Sequence, residues 1–266
     1  MQELVHESSW WLLIVIWFVF FAALSLASRY AVRRLQSKDR RNELTDYAAK
    51  TLSPIGATFA FLIGFAATMT WSAMSAGQEA VDAQATSVQQ LAWATKSISD
   101  KAGIARVIGN LNRYLAMVVA VDGDGAFLAR GEVTALPSAP AFDALQHSVH
   151  SVAYATGTTT PEATAMTTAA AALTAAQAKV SAVAQRSLPP LMTVLLIASG
   201  ALLAVAMGAA AADVSRPYLM YGWAAVSAIA LALVFTLDVP FRGAISVNTG
   251  PLVTVSDGLG AEPLDK

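Results

Sequence analysis

The chain contains no cysteine. That excludes a disulfide framework, a thiolate nucleophile and a cysteine-ligated metal. It is also poor in charge. Only 13% of its 266 residues are Asp, Glu, Lys or Arg, where soluble domains carry about 25%. The net charge of -1 provides no field to attract a polyanion, so nucleic acid is not an expected partner. There is no Gly-rich phosphate loop, nucleophile motif or zinc-binding helix, so neither an enzyme nor a cofactor is expected. His147 and His150 share a helix face but have no carboxylate nearby in sequence. They are read as surface residues, not metal ligands.

What is abundant is apolar sequence, 56% of the chain, and it is concentrated. Trp10 to Ser28 is 19 residues without a charge, enough to cross roughly 28 Å of hydrocarbon as a helix. Glu3 and Glu7 precede it, with no Lys or Arg, so it reads as an uncleaved anchor rather than a signal peptide. Three further uncharged stretches follow, at about 52–75, 191–212 and 218–237. Four spans predict an all-α integral membrane protein whose first partner is the lipid bilayer. Residues 1–76 form an N-terminal membrane pair and 188–238 a C-terminal pair. A helical domain, 77–187, is inserted between spans two and three, and 239–266 form a tail.

Between the first two spans lie Arg29, Arg33, Arg34, Lys38, Arg40, Arg41 and Lys50, against Asp39, Glu43 and Asp46. A short basic loop predicts a cytoplasmic position in a bacterial inner membrane. The middle domain is then expected on the periplasmic side.

In the inserted domain, apolar positions recur every three or four residues from Val81 through Val88, Ile98, Ala102, Ala105 and Leu111 to Leu115. They predict one helix continuing from span two, ended by Asp122-Gly-Asp-Gly125. That tetrapeptide lacks the later Glu of a calcium loop, so it reads as a turn. ALPSAP (135–140) predicts a break, and a helix is expected from Ala141 to about Ala155. Thr160-Pro161-Glu162 predicts the start of another, with Thr160 as N-cap and Pro161 at the first helical position. It should run to about Arg186, before Pro189 and Pro190. In the tail, AISV (244–247) and PLVTV (251–255) read as short strands.

Two patterns within the spans carry the functional expectation. Thr58, Phe61, Phe65, Thr68, Ser72 and Ser75 recur at helical spacing along span two. In a symmetric assembly they can line a pore, with the two phenylalanines as a hydrophobic constriction. Packing within one subunit is the competing reading. Gly56, Ala60 and Gly64 on span two, and Gly200, Ala204 and Gly208 with Ala212 on span three, are small residues at every fourth position. They suit close helix approach, to each other or to a neighbouring subunit. After span four, Asp238 and Arg242 flank Pro240 and read as a clamp or as an ion-attracting vestibule. No span holds an Asp, Glu, His, Lys or Arg. Proton-coupled carriers and voltage sensors usually place one at membrane depth.

Two segments, FLIGFAATMTWSAMSAGQEAVDAQA (Phe61 to Ala85) and LDVPFRGAISV (Leu237 to Val247), resemble a bacterial membrane family described as bestrophin-like. Leu237, Asp238, Pro240, Phe241, Gly243 and Val247 fit its pattern, whereas Val239 stands where the family often has Arg. The resemblance implies a pentameric anion channel with span two around the axis. Phe61 and Phe65 match its apolar gate residues in position and type. It also implies a cytoplasmic large domain and termini, the reverse of what the basic loop predicts. A membrane-anchored sensor or interaction protein is the alternative.

Overall fold

The structure, a computed structural model, describes residues 9–119, 138–157, 160–238, 241 and 247–261. Among these there are eight helices and no strand. Four of the helices are long and apolar enough to cross a membrane. The chain divides into two compact units.

The first unit holds 1–72 and 187–239 with 243–245. Helix α1, Ser9–Leu35, is apolar around most of its circumference, as a helix solvated by lipid must be. One edge is buried against α6, Pro190–Ala210, and α7, Tyr218–Leu237. Phe21 is fully buried there. Trp17 stacks on Phe235 at 5.5 Å, and Phe21 meets Trp223 edge-on at 5.5 Å. Offset and T-shaped ring pairs each add about 0.5–1.5 kcal/mol beyond burial. Trp11, Leu12, Val15 and Ile16 point outward, uncovered by protein.

Helix α2, Lys38–Lys96, has 59 residues. The expected loop between the first spans is therefore mostly helix, since only Gln36 and Ser37 separate α2 from α1. The charged residues there are good helix formers, so the two membrane helices simply extend until they meet. Pro54 lies inside α2.

The second unit holds 73–186, 240–242 and 246–266. Here α2 does not continue into the 101–117 segment. It ends at Lys96, and a new helix, α3, covers Lys101–Met117. The stop is chemical. In Ser97-Ile-Ser-Asp100, the Asp100 carboxylate accepts from Ala102 N at 3.1 Å and caps α3, outcompeting helix continuation. The break also resets the apolar face. Ala102 and Ala105 are exposed, while Gly103, Val107, Ile108 and Leu111 are buried. The turn expected at Asp122 to Gly125 lies outside the described residues.

Helix α4 covers Ala139–Thr156 and α5 covers Pro161–Ala184. Thr160 caps α5 through its hydroxyl, which accepts from Ala163 N at 3.3 Å, with Pro161 in the first turn. Gly157 ends α4 at φ +102°, a left-handed value where glycine has no Cβ penalty. The bundle core gathers Leu91, Leu111, Tyr114, Leu145, Met166 and Leu173.

The tail segment PLVTV is helical, not a strand. Helix α8 covers Gly250–Ala261. Asn248 Oδ1 accepts from Gly250 N at 2.8 Å, and Thr249 O accepts from Leu252 and Val253 N. This capping start with Pro251 in the first turn overrides the β-branched composition. Leu252 and Val255 then face the bundle core at helical spacing. Of AISV, residues 244–246 lie outside the described residues.

Candidate functional site

The span-two stripe is not packed within its own subunit. Thr58, Phe61, Phe65, Thr68, Ser72 and Ser75 are all exposed. Phe61 is 70% exposed and Phe65 50%. Their ring planes are 12° from parallel, with centroids 6.4 Å apart. Thr58 and Thr68 hydroxyls donate back to Pro54 O and Gly64 O at 3.0 and 2.9 Å. Their donors are thereby satisfied without water or a second helix. The opposite face of α2 is the packed one. Phe59 and Ala66 are buried, and Phe59 approaches Trp223 at 6.3 Å.

The small residues do not pair span two with span three face to face. Ala60 and Gly64 are exposed, and a Cβ on Gly64 would meet nothing within 4 Å. A Cβ on Gly56 would only touch Leu203 Cδ1 at 4.0 Å. Span three instead turns its small face to α1 and, at Gly200, to the Phe59 ring of α2, which a Cβ there would approach to 2.9 Å. A Cβ on Gly208 would lie 2.1 Å from Ser25 O, and one on Gly200 about 3.0 Å from the Phe21 ring. Ala204 and Ala212 are fully buried. Gly208 thus lets the α6 and α1 backbones approach where no side chain fits.

At one end of this unit, Arg29 Nε donates to Ala211 O at 3.1 Å, and Arg33 donates to Ala212 O and Val214 O. These carbonyls follow the C-terminus of α6, whose last turn lacks intrahelical donors. Cations there also meet the negative end of the helix dipole. Arg41 pairs with Asp213 at 2.8 Å. A share of the basic residues between spans one and two therefore holds the turn between spans three and four.

Asp238 is engaged, but not by the partner expected from sequence. Arg242 lies outside the described residues. The Asp238 carboxylate accepts from Leu188 N at 2.6 Å, tying the end of α7 to the entry of α6. Pro189 and Pro190 follow Leu188 and have no N–H of their own, so Leu188 offers the last backbone donor before the span. Burial pushes the Asp238 pKa up, and the Leu188 N–H partly opposes this. A raised folded-state pKa means this group's stabilising contribution is present in acid and lost as pH rises through its titration, upward from 3.8. Asp238→Asn keeps an acceptor for Leu188 and removes the buried charge. It should flatten that pH dependence and leave thermal stability at neutral pH equal or higher. Asp238→Ala orphans the N–H and should lose about 1–3 kcal/mol. Melting curves in detergent across pH check both.

Three arrangements in the second unit carry no signal readable from sequence periodicity. Gln84 Nε2 donates to Tyr114 Oη, which donates to Gln177 Oε1 at 2.8 Å, a buried polar chain across three helices. Gln78 holds the tail through both amide atoms, accepting from Asn248 N at 2.9 Å and donating to Asn248 O at 3.3 Å. Beside it, a Cβ on Gly77 would lie 2.9 Å from Val247 and 3.7 Å from Phe241. A groove of about 430 Å³ also opens between α4 and α5, lined by alanines with Gln146, His150, Thr167 and Thr174. His147 Nδ1 faces Asp143 O of its own helix at 3.1 Å. Among the described residues no cluster of three or more His, Asp or Glu is placed to hold a metal.

Four membrane-crossing helices, with a helical bundle inserted between the second and third, define an integral membrane protein of bestrophin architecture. The chain belongs to the Bestrophin-like domain family, whose model matches residues 19–252. The fold is shared with solved structures at low sequence identity. A crystal structure of a bacterial Bestrophin homolog from Klebsiella pneumoniae superposes with a TM-score of 0.67 at 13% identity, covering 94% of this chain and 100% of that one. A point variant of a bacterial Bestrophin homolog from Klebsiella pneumoniae gives 0.68 at 13%, covering 92% and 97%. A further crystal structure, described as a membrane protein, gives 0.71 at 13%, covering 94% and 100%. No curated protein matches the sequence.

Proposed function

We propose that the protein is an ion channel built as a homo-oligomer, with α2 of each copy around a central axis. One observation carries this reading. The two phenylalanines at the middle of span two are exposed on a face flanked by hydroxyls, while the other face of the same helix is packed. The face runs Thr, Phe, Phe, Thr, Ser, Ser, and nothing else in the described subunit covers it. It suits a narrow path with wettable ends and an apolar constriction. The spans hold no Asp, Glu, His, Lys or Arg, so passive conduction fits better than proton-coupled transport.

Five subunits and a preference for anions come from the family resemblance and belong to this proposal. The orientation, with the first loop cytoplasmic and the inserted bundle periplasmic, is also part of this proposal and rests on the basic residues against the resemblance. Planar-bilayer recordings of the purified full chain test conduction. Discrete currents absent from empty bilayers are expected. Silence from both the native chain and a Phe65→Ala variant would refute the channel.

A further inference from the structure

The second unit contains a single tryptophan, Trp93. In the run Leu91 to Thr95 the other four residues are buried, while Trp93 is 76% exposed. A lone exposed apolar side chain is ordinary on a protein surface. This one has a matching receptor elsewhere on the same bundle.

That receptor is the groove of about 430 Å³ between α4 and α5. Val149, Ala170, Ala171 and Ala175 give it an apolar wall, and no Asp, Glu, Lys or Arg lines it. Gln146 Nε2 donates to Thr174 Oγ1 at 3.0 Å and ties its two sides together. The Thr167 hydroxyl donates to Ala163 O and Thr164 O of its own helix, so its lone pairs can accept from an indole N–H. A dry cavity of about 150 Å³ holds one benzene ring, so this groove has room for an indole. No residue of α2 lines it, so the subunit's own Trp93 does not fill it.

Knob and groove also stand at one level. Within the second unit α2 and α5 run antiparallel. A Cβ on Gly77 would meet Val183 at 3.5 Å, and further along Tyr114 bridges Gln84 and Gln177. Nine residues beyond Gln84 is Trp93, and nine before Gln177 is Thr168. Both helices rise by about 1.5 Å per residue, so Trp93 is level with the Thr167 end of the groove. Helical side chains lean toward the N-terminus, which carries the indole toward the level of Ala170 and Ala171. Copies related by rotation about an axis along α2 touch only at matching levels, because a rotation adds no translation. A knob and a groove on different faces make a heterologous contact, the kind that closes rings.

We infer that Trp93 of each copy seats its indole in the α4–α5 groove of the next copy. The inference rests on the homo-oligomeric reading above, with α2 along the axis. Tryptophan in a complementary pocket is a common anchor of protein interfaces, and the uncharged groove lets the ring enter without stranding a charge.

The test uses the full chain in detergent, with paired cysteines in a native background that has none. Under mild oxidation, Trp93→Cys with Ala171→Cys should give a ladder of disulfide-linked multimers that reductant collapses. Gln90→Cys with Ala171→Cys keeps the indole and should give the same ladder. Each single variant should stay unlinked. So should Trp93→Cys with Ala182→Cys, an exposed α5 position outside the groove. Trp93→Ala should raise the concentration at which the assembly dissociates by about 30-fold, read by mass photometry on dilution. A native chain that is monomeric would overturn the oligomer and this contact with it. An intact oligomer in which neither groove pair links, or in which the Ala182 pair links equally, would overturn the contact alone. Linked dimers with nothing larger would do the same, since a two-fold pair is not a ring.

Discussion

Replacing Phe61 and Phe65 together by alanine is expected to raise current through the reconstituted protein several-fold. A constriction lined by apolar rings dewets, and the barrier to an ion is the cost of entering that dry zone. The two rings stack 6.4 Å apart, so they project from successive turns as one apolar surface. Removing one leaves the other. The single variants should therefore each show a smaller rise than the double, and Phe65→Trp should lower current. The folded subunit should tolerate these changes because both side chains are exposed. Unchanged thermal stability together with raised current is the expected pair of results. Lost stability with unchanged current would make the rings packing elements.

The second large effect concerns the fold itself. Gly208→Ala should destabilise the first unit severely. Its new Cβ would lie 2.1 Å from the carbonyl oxygen of Ser25, and a backbone atom cannot rotate away as a side chain can. Overpacking in a well-packed core costs typically about 1–3 kcal/mol, and this contact belongs at the upper end or beyond. The α1 and α6 backbones must separate, loosening the layer that buries Phe21 and Ala204. Gly64→Ala is the matched control, since its Cβ would meet nothing within 4 Å in the subunit. A large drop in detergent melting temperature for the first and none for the second is expected. Equal melting temperatures would show that the helices are not in such close contact.

The spans were legible because their signal is an absence. Uncharged stretches of the right length have few alternatives to lipid, and the fourth begins and ends at Tyr218 and Leu237 as read from sequence. Local capping chemistry was legible where a side chain caps its own helix, as at Thr160 with Pro161. It was missed at Asp100, because the apolar spacing runs on through Ser97 to Asp100 and masks the stop. PLVTV was misread because β-branched residues outweighed the Asn-Thr-Gly-Pro start just before them.

Long-range pairing leaves no such trace. The partner of Asp238 is a backbone N–H 50 residues away. Arg29 and Arg33 cap carbonyls about 180 residues along the chain, although sequence shows them only as loop charge. Part of each segment that suggested the family does meet the other. Gly77 and Gln78 receive Phe241, Val247 and Asn248, which gives a packing reason for small and amide residues at those positions of α2. The stripe from Thr58 to Ser75 was legible as a pattern, and the structure adds that the subunit leaves it uncovered.

The central claim is that this uncovered face of α2 meets water inside the assembled protein, whereas the equally uncovered face of α1 meets lipid. The native chain has no cysteine, so single cysteines can be placed without background. The decisive measurement is the rate at which a charged, membrane-impermeant thiol reagent modifies Thr68→Cys and Ser72→Cys, compared with Val15→Cys and Val19→Cys, in liposomes. Rapid modification of the α2 pair, with loss of current, and little reaction of the α1 pair is predicted. Equal protection of all four positions would place the α2 stripe in hydrocarbon or in a dry interface and contradict the account.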